Sequence, residues 1–172
     1  AASLAAGCTC IMKAAEETPG TCIEITRALE DAGLPKGVLN LVFGVPSMIS
    51  EYLIASPIVR KVSFIGSIPV GKELTQLAAA GMKRTTMELG GHAPVVIFDD
   101  IDIENVAGLS ATMKFRNAGQ VCISPTRFFV HDRIYDKFVE AFTNLAETIK
   151  VGNGLESNIQ MGPLANERRL KA

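Results

Sequence analysis

The residues best suited to chemistry fall in three short segments. Residues 115–122 read Phe-Arg-Asn-Ala-Gly-Gln-Val-Cys, so Cys122 follows a polar loop that contains a glycine. Backbone N–H groups around such a loop can stabilise a thiolate, which would make Cys122 a nucleophile. An inert, buried thiol is the plainer alternative. Residues 87–91 read Met-Glu-Leu-Gly-Gly. Glu88 is then a carboxylate at a strand end, where two glycines let a ligand approach the backbone closely. A solvated glutamate on a strand edge is the competing reading. Residues 64–71 read Phe-Ile-Gly-Ser-Ile-Pro-Val-Gly. Gly66 and Ser67 there join a strand to a helix start, where free N–H groups and the helix dipole favour an anion. The same pair could serve only as a cap, and it is not a G-x-G-x-x-G fingerprint.

Other chemistries fit less well. The four cysteines are Cys8, Cys10, Cys22 and Cys122, which make no disulfide framework at this length. Cys8 and Cys10 would share a strand face, but no second ligand pair follows, so no metal site is expected and Cys8, Cys10 and Cys22 read as small core residues. The two histidines, His92 and His131, stand in contexts that do not suggest a partner for a cysteine hydrolase. Lysines and arginines are scattered and the formal net charge is −1, which argues against a nucleic-acid partner or an anionic membrane surface. No apolar run is long enough to span a bilayer, and the cytoplasm is the simplest compartment.

Elements that could position these residues alternate along the chain. Strands are expected at residues 9–12, 38–42, 59–65, 85–89, 94–98 and 126–130. Between them lie helix signals. Thr18 and Pro19 open one that Gly33 and Pro35 stop. A second runs from Ser47 towards Ala55. Gly66 and Ser67 open a third, carrying Leu74, Leu77 and Ala78. Asp102 caps a fourth, with Ile103, Val106, Ala107, Ser110 and Met113 on one side. Ile134, Phe138, Phe142, Leu145 and Ile149 mark a long amphipathic fifth. The tail from Gly152 reads as loop with a short terminal helix. Such alternation implies βαβ units and a mainly parallel sheet, whose ligands bind at the carboxyl ends of the strands. Gly44, Gly66-Ser67 and Gly90-Gly91 fall at those ends.

Together and in this order, Phe-Ile-Gly-Ser-x-x-Val-Gly, Met-Glu-Leu-Gly-Gly and Asn-Ala-Gly-Gln-Val-Cys resemble the aldehyde dehydrogenase superfamily at its most diagnostic motifs. Residues 11–19 (Ile-Met-Lys-Ala-Ala-Glu-Glu-Thr-Pro) and 32–40 (Ala-Gly-Leu-Pro-Lys-Gly-Val-Leu-Asn) match the same family. Ile65 departs from the usual threonine beside the phosphate turn. The resemblance implies an α/β fold: a parallel, Rossmann-like cofactor sheet over residues 1–90, then the first part of an α/β catalytic domain over residues 91–172. It implies NAD as cofactor, with Lys13 and Glu16 at the adenine ribose, Gly44 on the adenine side, Gly66 and Ser67 at the pyrophosphate, and Leu89 at the nicotinamide. It makes Cys122 the nucleophile and Glu88 the base that activates water.

Arg116, six residues before Cys122, resembles the arginine with which succinate-semialdehyde dehydrogenases hold the substrate carboxylate, although a surface arginine is the alternative. The expected partner is therefore a small aldehyde, preferably a semialdehyde. A general aliphatic or aromatic aldehyde dehydrogenase and a non-catalytic nucleotide-binding protein of the same fold are the alternatives. Family members are far longer, and are expected to be homodimers or homotetramers. They carry an upstream asparagine of the oxyanion hole and a downstream Glu-x-Phe-Gly-Pro segment that this sequence lacks. The 172 residues alone are accordingly expected to be inactive.

Overall fold

The computed structural model describes residues 2–171. They form two compact units. One holds the chain up to Phe64 together with Pro69–Met87, and the other holds Ile65–Ile68 together with everything from Glu88 onward.

The first unit opens with a short helix α1 (Ala2–Ala5), then β1 (Cys10–Lys13), α2 (Pro19–Asp31), β2 (Leu39–Val42) and α3 (Pro46–Ala55), and holds most of β3 (Lys61–Gly66), α4 (Ile68–Ala80) and β4 (Arg84–Leu89), whose residues 65, 66, 68, 88 and 89 fall in the second. β1 and β2 pair in parallel, with Cys10 opposite Leu39 and Lys13 opposite Val42. A parallel pair needs a crossover, and α2 supplies it. Pro19 starts α2 with a backbone angle already helical, while Thr18 precedes it without a side-chain capping bond. At the other end Gly33 adopts φ +84°, and the N–H groups of Gly33 and Leu34 close back onto Glu30 and Leu29. Those two bonds satisfy carbonyls that the helix end would leave orphaned.

β3 and β4 form a second pair. Ile54 of α3 and Leu74 and Ala78 of α4 make a buried cluster with Val62, Phe64 and Met87 packed against it. Leu77, expected on the same helix face, is 39% exposed. A staple tightens this unit: Lys83 Nζ donates to the carbonyls of Ser56 and Val59, each at 2.7 Å. The chain reaches Lys83 through Met82 at φ +50°.

The second unit adds β5 (Ala93–Ile97), α5 (Ile103–Phe115), β6 (Pro125–Val130), α6 (Tyr135–Glu147) and α7 (Glu167–Leu170). β5 and β6 pair in parallel with α5 as their crossover, so parallel pairing with helical crossovers recurs here. Asp102 caps α5, accepting from the N–H of Asn105 at 3.2 Å. The core joins Ile97, Ala107, Ile134, Phe138 and Ala141. Each fully buried large apolar side chain contributes about 1.5–3 kcal/mol. Phe142 links the aromatic rings, with centroids 5.4 Å from Phe128 and 6.0 Å from both Phe138 and Phe115. Because Phe115 is the last residue of α5, this packing fixes where the following loop begins.

The cysteines correct one expectation. Cys8 is exposed, and Cys10 and Cys22 are half-buried rather than core residues. Cys8 lies in the turn before β1. Among the described residues β1 pairs with β2 alone, and Ile11 beside Cys10 is also exposed.

Candidate active site

The loop between α5 and β6 is built to present Cys122. After Phe115 the chain makes a one-turn 3-10 segment, Arg116–Gly119, in which Asn117 and Ala118 take left-handed angles (φ +51° and +55°). Gly119 follows at φ +74°. A left-handed alanine costs about 1–2 kcal/mol, so the surroundings must hold this turn in place. Glycine at 119 takes that angle without the cost of a side chain, and a Cβ there would lie 3.4 Å from the Lys114 carbonyl oxygen. Asn117 and Gln120 bond reciprocally. Asn117 Nδ2 donates to the Gln120 carbonyl at 3.1 Å, and Gln120 Nε2 donates to the Asn117 carbonyl at 3.0 Å. Past Cys122, the N–H of buried Ser124 returns to the Val121 carbonyl at 2.9 Å.

Cys122 itself is exposed, so it is not the inert, buried thiol of the plainer reading. Among the described residues its backbone N–H donates to no group of the chain. Cys122 thus carries an accessible sulfur and, among the described residues, an unengaged backbone N–H.

Glu88, one residue from the end of β4, is also exposed, and among the described residues its carboxylate has no ion-pair or hydrogen-bond partner. Leu89 beside it is half-buried. Two residues further on, Gly91 passes near Cys122: a Cβ there would lie 4.0 Å from the Cys122 carbonyl oxygen. His92 Nδ1 meets Thr126 Oγ1 at 3.1 Å. The segment that follows Glu88 therefore meets the chain at Cys122 and, four residues later, at Thr126. His131 caps the 3-10 turn before α6, where its Nδ1 accepts from the Arg133 N–H at 3.2 Å. Both histidines have partners of this kind, neither of them Cys122.

Gly66 ends β3 and Ser67 stands immediately before α4, exposed at the start of that 13-residue helix. Both belong to the same compact unit as Glu88, Leu89 and Cys122. Arg116 belongs there too; it is exposed, and among the described residues its guanidinium makes no ion pair. Lys13, Glu16 and Gly44 belong to the other unit. Lys13 ends β1, and its Nζ lies 2.6 Å from Glu16 Oε1. Gly44 lies two residues past β2 at φ +141°, and a Cβ there would come within 3.2 Å of Ile49 Cδ1, so the turn tolerates only glycine without strain.

One loop residue went unassigned in the sequence. Gln120 Oε1 accepts the N–H of Ala165 at 2.9 Å, across 45 positions. No local pattern signals a partner so distant.

Comparison with known proteins identifies the family. The aldehyde dehydrogenase family profile matches residues 1–172, and the chain belongs to that family. It is similar to 4-(hydroxymethyl)benzenesulfonate dehydrogenase TsaD1 of Comamonas testosteroni, 51% identical over 170 residues, covering 99% of this chain and 35% of that protein. The crystal structure of succinate-semialdehyde dehydrogenase from Burkholderia pseudomallei superposes with a TM-score of 0.95 at 44% identity, over 98% of this chain and 35% of that one. Betaine aldehyde dehydrogenase from Staphylococcus aureus, in complex with NAD+, gives 0.92 at 36% identity, over 98% and 34%. Other relatives are named as NADP+-dependent succinate-semialdehyde dehydrogenases. The chain spans about a third of the length of the relatives it matches.

Proposed function

We propose that this chain carries the nucleophile and base of an enzyme that oxidises an aldehyde to a carboxylic acid with NAD+. The observation that carries the reading is Cys122: an exposed thiol whose own backbone N–H is unengaged among the described residues, at the end of a braced turn. In the proposed reaction the Cys122 thiolate adds to the aldehyde carbon, forming an S–C bond and moving the carbonyl electron pair onto oxygen. The Cys122 N–H donates to that oxyanion. The nicotinamide, when bound, supplies the acceptor for the hydride that leaves the same carbon. What remains on Cys122 is a thioester. Glu88 takes a proton from water, the resulting hydroxide adds to the thioester carbon, and the thiolate departs as the acid forms.

The residues present suit a dinucleotide. Glu16 can accept hydrogen bonds from ribose hydroxyls, and its carboxylate would repel a 2′-phosphate. Gly44 leaves a turn without a side chain at a strand's carboxyl end. Gly66 and Ser67 stand where α4 begins, a site suited to pyrophosphate. In this reading residues 1–90 belong to the cofactor domain and residues 91–172 to the catalytic domain. The whole protein is a homodimer or homotetramer in the cytoplasm.

For the substrate we favour an aldehyde with an anionic tail, succinate semialdehyde first among them. Arg116 offers an exposed guanidinium without an ion-pair partner among the described residues, six positions before the nucleophile. Relatives named for succinate semialdehyde and for a benzenesulfonate compound share an acidic group, which supports the same choice. The test is steady-state NADH formation by a full-length enzyme carrying these residues. The expected result is a higher kcat/KM for succinate semialdehyde than for propanal or benzaldehyde. Equal or better efficiency on the uncharged aldehydes would overturn the assignment.

A further inference from the structure

We propose that Gln120 is the positioning residue of the nucleophile: its side-chain amide ties the left-handed turn before Cys122 to the backbone at Ala165. The inference rests on Cys122 being the nucleophile. All the polar groups of Gln120 are engaged. Its N–H and Nε2 both donate to the Asn117 carbonyl, at 3.1 and 3.0 Å, and its own carbonyl accepts from Asn117 Nδ2 at 3.1 Å. Its Oε1 accepts the Ala165 N–H at 2.9 Å. The first three bonds close residues 117–120 into a ring. The fourth anchors that ring to the tail.

The tail is a fit anchor because it is itself held. Lys150 donates its N–H to Gln160 Oε1 at 3.0 Å, and the Gly152 N–H reaches the Met161 carbonyl at 3.1 Å. A groove of about 410 Å³ opens between the turn and the tail, lined by Phe115, Ala118, Val151, Met161 and Leu164 among others. Across a gap of that kind a directional bond sets the orientation of the turn. Gln120 is two residues from Cys122, so rotating the turn would rotate both the thiol and the N–H that faces the oxyanion.

The test uses a full-length dehydrogenase carrying this segment, with Gln120→Met and, independently, Asn117→Asp. The second variant keeps a residue tolerant of φ +51° but loses the Nδ2 donor. Three quantities are read: the rate of the first-turnover NADH burst per titrated thiol, KM for NAD+, and the rate of Cys122 alkylation by iodoacetamide. A misplacement of about 1 Å can cost about 100-fold, so Gln120→Met is expected to lose about 10- to 100-fold in burst rate, and Asn117→Asp to fall in the same direction. KM for NAD+ should stay unchanged, and alkylation of Cys122 should slow. A residue needed only for folding would lower the yield of active thiol and leave the rate per thiol intact. Wild-type burst and alkylation rates in both variants would overturn the proposal. If the wild-type protein alkylates at Cys122 but shows no burst, the reaction assigned to Cys122 fails, and the alkylation arm still decides the role of Gln120.

Discussion

Gly91 and the Cys122 carbonyl are close neighbours: a side chain begun at Gly91 would meet that oxygen at 4.0 Å. This approach brings the segment after Glu88 against the backbone of Cys122. The contact is of ordinary van der Waals length, so it records proximity rather than a need for glycine at 91. Both belong to the compact unit that also holds Glu88, Leu89, Gly66 and Ser67.

The first expected outcome concerns Glu88. Glu88→Gln in a full-length enzyme should leave the NADH burst in place while turnover falls by about two to four orders of magnitude, as for a lost general base. Stopped-flow absorbance separates the two phases. Burst and turnover falling together would show that Glu88 acts before or during hydride transfer.

A second outcome concerns thiol reactivity. Cys8 is as openly exposed as Cys122, so exposure alone predicts similar labelling. If the loop stabilises the Cys122 thiolate, iodoacetamide at limiting concentration should label Cys122 ahead of Cys8, Cys10 and Cys22. Peptide mapping reads the order, and preferential labelling of Cys8 would count against the assignment.

Lys13 and Glu16 pair at 2.6 Å, and cofactor choice is expected to depend on that pair. Glu16 disfavours a 2′-phosphate, and Glu16→Ser would also release the Lys13 ammonium to attract one. The variant should therefore gain on NADP+ relative to NAD+, read as a ratio of kcat/KM values. A wild-type enzyme equally efficient with both cofactors would remove the role given to Glu16.

Arg116 is expected to act on the anionic end of the substrate. A hydrogen bond to a charged group contributes about 1.5–3 kcal/mol, so Arg116→Met should cost about 10- to 100-fold in kcat/KM on succinate semialdehyde. The same change should leave propanal nearly unaffected. Equal losses on both would assign Arg116 to the loop rather than to the substrate.

Much of this architecture was legible in the sequence because it depends on near neighbours. Pro19, Asp102 and Gly33 mark helix ends by backbone restrictions that act within a turn, and all three stand where those rules place them. The order of strands and crossovers followed from hydrophobic period. Features set by distant parts of the chain were not legible. Lys83 reaches carbonyls 24 and 27 positions away, and Gln120 reaches 45. The left-handed Ala118 has no local cause, since alanine disfavours that conformation, and only the surrounding bonds explain it. The small cysteines were misplaced for a related reason: burial depends on what covers a strand, and hydropathy does not report that.

The account turns on a covalent intermediate at Cys122, and mass spectrometry of the trapped acyl-enzyme tests this most directly. A full-length enzyme carrying Glu88→Gln, mixed with NAD+ and succinate semialdehyde and quenched in acid after the burst, should accumulate the thioester. The peptide containing Cys122 should then carry the mass of the acyl group. A burst of NADH with that peptide unmodified, or with the acyl group on Cys8, Cys10 or Cys22, would contradict the account.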